Sequence, residues 1–425
     1  MSRSAAIIRF AGIALILLLV ACSKQATRED GAPVPCNCPP ASLPPIPLPI
    51  PVPEPPKPQP PTKPETAPVP LYSQLQPVGW EALLDFAQSD LGPAWSAWLQ
   101  SCSTLAKQPQ WQAACDAAMQ LKSPDSRAIA AYFRQYFTAY RATDADGADT
   151  GLITGYYQPL LQGSRVRTPK YRYPLYSKPA DLISVELADL YPELAHKRIR
   201  GRVVGQKLVP YYDRSEIEAQ PSPLQGQELL WVDDIIDLFF LQIQGSGIIQ
   251  LDSGERIQVG YADHNGYTYR SIGRELIDRG ELAAEEASMQ GIKRWARNHP
   301  AQLRELLNVN PSYVFFRELP VGLPGPLGAL GVPITAERSV AVDPRYIPLG
   351  APVFLATTYP NSSTPLNRLM LAQDTGGAIK GGVRADFYWG AGDIAGQRAG
   401  AMKQPGKIWV LLPKGFLPTP ANEAK

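Results

Sequence analysis

The apolar positions of this 425-residue chain change their period three times beyond residue 71. Between Trp80 and Tyr140, Leu83, Leu84, Ala87 and Leu91, and then Ala128, Ala131, Tyr132 and Tyr136, recur near helical spacing. That spacing predicts helices whose apolar side chains enter a core. Trp95, Trp98 and Trp111 fall in the same stretch and read as core, with sugar stacking the alternative. From Thr150 to Gly260 the pattern becomes short apolar runs punctuated by Gly and Pro: LITGYYQPLLQG, YRYPLYSKP, GRVVGQKLVPYYDR and DLFFLQIQGSGIIQL. Such runs predict strands at barrel-like spacing. Arg270–Gly280 and Ala287–His299 predict two helices, and beyond Pro311 strands return in SYVFFREL, ERSVAVD, APVFLATTY, NRLMLAQD and KIWVLLPK. If LITGYYQ is a strand, Tyr156 and Tyr157 alternate faces, so that one can face a groove while the other packs inward.

The first 70 residues follow neither period. Arg3 and Arg9 precede a short apolar core, Ala11–Ala21, too short and wrongly flanked for a membrane span, so Met1–Cys22 reads as a signal peptide. Leu19-Val20-Ala21-Cys22 matches a bacterial lipobox, in which Cys22 is lipidated and becomes the new N-terminus; the alternative is an ordinary secretory signal with a chance cysteine. Ser23, rather than Asp, follows, as in lipoproteins sent to the outer membrane. A multiply acylated terminus anchors stably where one chain holds only marginally. From Pro39 to Pro70, 16 of 32 residues are proline. This predicts a semi-rigid polyproline II spacer reaching roughly 100 Å at ~3.1 Å per residue. A ligand for a proline-binding module is the alternative. Cys36 and Cys38 suit no zinc site and remain unassigned. Cys102 and Cys115 flank a helical-looking stretch; in an exported chain they read as a disulfide closing a small loop, or as two buried thiols.

Residues 71 to about 418 are enough for one large or two medium domains. A net charge of +2 argues against a nucleic-acid partner, which calls for a clear basic patch. Three scattered histidines, His196, His264 and His299, argue against a His-rich metal site, and no cofactor is called for.

The candidate chemistry lies in LAQDTGGAIKGGVRADFYWGAGDIAG, residues 371–396. Asp374 and Asp386 stand among glycines beside Phe387, Tyr388 and Trp389, and Asp343 lies upstream in AVDPRYIPLG. Cleaving a sugar chain needs an acid for the leaving oxygen and flat faces for the rings. The alternative is a set of glycine-rich turns with solvated acids. If residues 384–389 form a strand, Arg384, Asp386 and Tyr388 share a face. Arg384 would then lower the Asp386 pKa, while a nearby Asp374 would raise one of the pair. Other motifs weigh less. GSG at 245–247 lacks the glycines of the nucleophile elbow, a Ser246–His264–Asp263 triad is only conceivable, and GAGDIAG lacks the dinucleotide fingerprint. Gln244 and Ser246 read as groups that bond sugar hydroxyls, or as a strand-end turn.

TGYYQPLLQGS, LFFLQIQGSG, YADHNGYTYRSIGREL, NPSYVFF and the DTGGAIKG-to-aspartate-to-aromatic stretch together resemble the membrane-bound lytic murein transglycosylase A family over roughly residues 128–412. The long proline tether is not part of that pattern. The resemblance implies a mainly β fold with helices, α+β in class. It comprises a double-psi β-barrel from residues 71–157 and 319–425, and a smaller inserted β-barrel domain, 158–318, after a signal peptide (1–22) and tether (23–70). A substrate groove would run between the barrels. It implies a peptidoglycan lytic transglycosylase that cuts the β-1,4 bond between N-acetylmuramic acid and N-acetylglucosamine and leaves a 1,6-anhydro ring. By position, Asp386 would be catalytic, Asp374 and Asp343 its companions, and Gln244, Ser246, Tyr156 and Tyr157 substrate contacts. The implied partners are glycan strands and a bilayer, held from an outer-membrane anchor facing the periplasm. Two other classes stay open: a hydrolase pairing Asp386 with Asp374 or Asp393, and a non-catalytic wall-binding lipoprotein.

Overall fold

The computed structural model describes residues 72–416 and 418, apart from 73, 87, 88, 192, 193 and 195–198. The lipobox with Cys22, the pair Cys36 and Cys38, the proline tether and His196 lie outside the described residues. Among the described residues no helix is long and apolar enough to cross a membrane.

Eight strands form the larger sheet, in the order β1 (Leu75–Val78), β2 (Phe137–Ala142), β17 (Lys403–Pro413), β14 (Pro352–Thr358), β15 (Pro365–Thr375), β13 (Ser339–Val342), β16 (Ala385–Ala391) and β3 (Gly151–Gln158). Because β3 also pairs with β17, through Lys403 to Thr154 and Gly406 to Gly151, the last six strands close into a ring. Closure removes the exposed edges that an open sheet leaves. The second sheet runs β12 (Val314–Glu318), β11 (Arg256–His264), β10 (Ser246–Leu251), β4 (Leu160–Ser164), β9 (Glu228–Val232) and β5 (Tyr173–Tyr176). A bridge between Ser177 and Phe316 joins its two ends. A third, three-stranded sheet holds β6 (Ile183–Val185), β7 (Ile199–Val204) and β8 (Lys207–Pro210).

Three helices, α1 (Gly92–Leu105), α2 (Pro109–Gln120) and α3 (Ser126–Tyr136), pack on the larger barrel. Trp98 and Trp111 are fully buried there and Trp95 nearly so, which makes all three core residues. Cys102 of α1 and Cys115 of α2 form a disulfide, with Cα atoms 5.2 Å apart. Helical spacing also runs through Leu83 to Leu91, but among the described residues between Trp80 and Leu91 the helical element is a single 3₁₀ turn, Trp80–Ala82. Between β8 and β12 along the chain lie α4 (Arg214–Ile217), α5 (Ile235–Gln244), α6 (Ile272–Asp278), α7 (Met289–Asn298) and α8 (Leu303–Asn308); α9 (Gly392–Ala401) follows β16.

One sequence reading is corrected here. DLFFLQIQ is helix α5, not strand. The Asp234 side chain caps it, accepting from the N–H groups of Ile236 and Asp237, and Gly245 ends it in the left-handed region at φ +75°. A short apolar run such as Leu238–Leu241 does not distinguish a buried helix from a buried strand; its caps do.

Candidate active site

Strand register assembles the site. Asp386 of β16 pairs with Thr154 of β3 on one side and with Ala341 of β13 on the other, and Ala341 pairs in turn with Asp374 of β15. Register partners project to the same face, so Thr154, Asp386, Ala341 and Asp374 form one row across four strands. Two strand spacings, about 10 Å, separate the aspartate Cα atoms. A β-bulge sets this row. Ser339 pairs with Leu371, yet Ala341 pairs with Asp374, so three steps of β15 face two of β13. Without the extra residue Gln373 would occupy the row. Instead Gln373 is buried, donating to the Ala97 carbonyl (2.9 Å) and Ser101 Oγ (3.0 Å) and accepting from Ser339 Oγ (2.5 Å). The next row is aromatic: Tyr156 and Tyr388 pair with ring centroids 5.1 Å apart. Ile334, Ala341 and Ile379 complete this apolar floor.

A fixed chain of hydrogen bonds ends at Asp386. Arg384 Nη2 donates to Thr154 Oγ1 at 2.8 Å, and the Thr154 hydroxyl donates to Asp386 Oδ1 at 2.6 Å. Guanidinium only donates, so the threonine hydrogen must point to the carboxyl. Oδ1 is therefore the accepting oxygen, and the proton of the neutral acid belongs on Oδ2, which has no partner among the described residues. Burial raises the Asp386 pKa, against the lowering pull of the Thr154 hydroxyl and the Arg384 charge. The tension read in the sequence thus resolves toward burial, with Arg384 one hydroxyl removed from the carboxyl.

Asp374 is held more tightly. Its Oδ1 accepts the N–H groups of Ala329 (3.0 Å) and Thr375 (2.9 Å), and its Oδ2 accepts the Tyr156 hydroxyl (3.1 Å). Burial still lifts its pKa to about 6, with the Asp386 charge adding to the rise. Asp343 is the opposite case. It is fully buried, but Arg345 makes a bidentate pair with it (Nη2 to Oδ2, 2.5 Å), and the backbone N–H groups of Arg345 (3.2 Å) and Gly381 (3.1 Å) also donate to it. Burial would raise its pKa; these donors overcome that and hold it below the usual carboxylate range. Asp343 and Asp144 clamp the glycine loop, Asp144 Oδ1 accepting from Gly382 N at 2.6 Å and Gly381 standing at φ +118°.

The remaining sequence candidates lie elsewhere. Tyr157 projects from the opposite face of β3 to Tyr156. It lines a cleft of about 200 Å³ with Gly155, Gln244, Tyr269, Met289 and Ala399. Gln244 closes α5 and accepts the Tyr157 N–H at 2.9 Å, tying the helix to β3. A Cβ at Gly155 would lie 2.7 Å from Trp389 Nε1, so only glycine fits. Ser246 is buried at the start of β10, opposite Gly260, and is not among the residues lining the cleft. Its register sets aside the Ser246–His264–Asp263 triad. His264 lies four residues beyond Gly260, about 13 Å along the strand, and Asp263 is held by Lys178 (2.8 Å) and Arg200 (2.9 Å). Asp393 stands in the first turn of α9. Sequence reasoning missed Thr154, Asp144 and Arg345. For Thr154 a signal existed: it shares the face of Tyr156 by simple alternation.

Comparison with known proteins adds to this geometry. Residues 152–317 match the family described as the MltA specific insert domain, and residues 338–412 match the 3D domain. Membrane-bound lytic murein transglycosylase A of Escherichia coli K12 is 36% identical over 281 residues, 64% of this chain and 68% of that protein. The crystal structure of MltA from Neisseria gonorrhoeae (monoclinic form) has 39% identity and a TM-score of 0.71, covering 81% of this chain and 94% of that one. The structure of E. coli MltA with bound chitohexaose has 27% identity and a TM-score of 0.60, covering 84% and 99%.

Proposed function

The chain belongs to the membrane-bound lytic murein transglycosylase A family and is a lytic transglycosylase acting on peptidoglycan; from that premise we propose that one carboxyl, Asp386, performs both proton transfers. The observation that carries this reading is the Arg384–Thr154–Asp386 chain, which leaves a single unpartnered oxygen to hold the proton.

In the proposed reaction, Asp386 Oδ2 gives its proton to the glycosidic oxygen between N-acetylmuramic acid and N-acetylglucosamine. The bond from C1 to that oxygen breaks, and positive charge develops at C1. The muramic O6 hydroxyl then attacks C1 and releases its proton to the Asp386 carboxylate. A 1,6-anhydro ring forms, the acid is regenerated, and no water is consumed. The raised pKa of Asp386 suits an acid that must start protonated. Asp374 already accepts three hydrogen bonds, which leaves it poorly placed to activate a water as a hydrolase would require. We assign it to shaping the row and tuning its charge, and Asp343 to holding the glycine loop. Tyr156 we assign to the substrate face. Tyr157 and Gln244 are kept as groove contacts from the reverse cleft, and Ser246 as the weakest of that set. The relative crystallised with chitohexaose supports a glycan chain as the ligand class.

We divide the chain as a barrel of residues 71–157 and 319–425 carrying an inserted domain, 158–318. The support is that every strand of the second and third sheets falls between Leu160 and Glu318. Membrane association goes with the family, whose curated members carry it in their name. An acyl anchor on Cys22, in the outer membrane and facing the periplasm, is our finer proposal. The test of the reaction is product mass. Digesting purified peptidoglycan should release fragments one water lighter than hydrolytic ones. Reducing-end, hydrated products would replace this mechanism with a two-carboxylate hydrolase.

A further inference from the structure

The three-stranded sheet has two unlike faces. Register puts Ile183, Val185, Ile199, Val203, Leu208 and Pro210 on one of them. The other face carries Arg200, which donates to Asp263 at 2.9 Å, and Arg202, whose guanidinium lies 4.2 Å from the Tyr212 ring centre. That second face therefore turns toward the body of the unit. On the apolar face, Ile183, Val203 and Leu208 are 38%, 56% and 48% exposed, and none of the six belongs to a core cluster. At the hairpin tip, Val204 is 49% exposed on the other face, beside Gly205 at φ +60°. The tip thus pairs Val203 with Leu208 on one face and Val204 with Lys207 on the other. Residues 199–212 hold three basic residues, Arg200, Arg202 and Lys207, and no acidic one. Lys207 is exposed and forms no ion pair among the described residues.

We propose that the Val203–Leu208 hairpin tip docks end-on into an anionic phospholipid surface. Val203 and Leu208 on one face and Val204 on the other suit insertion among acyl chains, while Lys207, the cation at the tip not engaged on the body of the unit, meets lipid phosphates. A second copy of this chain fits less well, because face-to-face pairing covers Val203 and Leu208 but leaves Val204 in water. The proposal rests on the family's membrane association, not on the assignment of Asp386.

The test uses the full chain as Cys22→Ala, which removes the acyl anchor. Its flotation with vesicles of phosphatidylethanolamine and phosphatidylglycerol is compared with vesicles of phosphatidylcholine alone. The expected result is binding to the anionic vesicles that weakens with salt, about fivefold weaker affinity in Lys207→Ala, and loss of binding in Val203→Asp with Leu208→Asp. Both positions are exposed, so turnover of solubilised glycan should not change, which separates this proposal from the catalytic one. No flotation of the parent chain, or flotation unchanged in the double variant, would overturn it. So would a concentration-dependent dimer that the double variant abolishes, which would assign the face to a second copy.

Discussion

Asp386 lies on β16 and Asp343 directly follows the neighbouring strand β13, and burial presses on both, yet their pKa values move in opposite directions. At Asp343 a guanidinium and two backbone N–H groups reach the carboxylate directly. At Asp386 the only donor among the described residues is the Thr154 hydroxyl, and Arg384 stands behind it. Burial alone therefore does not decide whether an aspartate serves as a structural anion or as an acid. The count of direct donors does: Arg384, behind an interposed hydroxyl, still pulls the Asp386 pKa down but does not offset burial.

The strongest way to break this contrast is Asp386→Asn. The amide keeps the side-chain shape and removes the titrating proton. Positioned acid–base catalysis contributes roughly 10²–10⁴-fold, and here one group serves both transfers, so turnover should fall by at least that range while circular dichroism is unchanged. A folded variant with ordinary turnover would move the chemistry to another carboxyl. Asp343→Ala tests the other side. It strips the glycine loop of its clamp at Gly381 and leaves Arg345, half-exposed, to solvate itself. A stability loss of about 1–3 kcal/mol is expected in chemical denaturation, with activity falling only as the fold does. Lost turnover at an unchanged denaturation midpoint would make Asp343 part of the reaction.

The same contrast marks what the sequence can carry. Asp386, Asp374 and their aromatic neighbours were readable because glycines and rings crowd around them, and strand alternation puts Tyr156 and Tyr157 on opposite faces. What alternation cannot show is register. The bulge opposite Ser339–Ala341 selects Asp374 over Gln373 for the site, and no local signal in NRLMLAQD announces it. Nor does a carboxylate name its donors: Arg345 is two residues from Asp343, but Asp144 reaches Gly382 across 238 positions. The closed larger ring likewise depends on β17 returning to β3 from the far end of the chain. The misread stretch, DLFFLQIQ, failed for a related reason. Its apolar centre, Leu238–Leu241, is too short for period to separate helix from strand, and the caps Asp234 and Gly245 held the answer.

Thr154→Val sharpens the contrast at its hinge. The methyl fills the hydroxyl's place, and Arg384 keeps its bonds to the carbonyls of Leu152 (3.2 Å) and Ala385 (2.6 Å). With its only donor gone, Asp386 should titrate at higher pH, because the hydroxyl stabilises the ionised form. The fall of kcat/KM with rising pH should therefore shift upward. Loss of orientation should lower kcat about tenfold, with KM little changed. An unshifted pH profile would reduce Thr154 to a packing residue. In the parent enzyme the profile should descend toward high pH without the acidic limb that a second, ionised carboxylate would impose.

The smallest effect concerns Asp374, and its sign is what matters. Its folded pKa of about 6 lies above the ordinary aspartate value near 3.8. The folded chain thus holds a proton that the unfolded chain releases first. This stabilising contribution is complete below pH ~3.8, declines as pH rises, and is gone above about 6, where both states are ionised. Asp343 works the other way: its contribution is present above the unfolded value and is lost only as pH falls through its lowered folded pKa. Between pH ~4 and ~6, then, Asp374 is the one of the two that makes stability fall with rising pH. Asp374→Asn retains an oxygen for the N–H groups of Ala329 and Thr375 and cannot titrate. Its melting temperature, compared with the parent's across that window, should lack about 1 kcal/mol of this decline, roughly 2 °C for a chain of this size, the figure being reduced by partial solvent access at the open face. Identical pH profiles in parent and variant would mean that Asp374 is ionised throughout, and the distinction would then be between one acid, Asp386, and two structural anions.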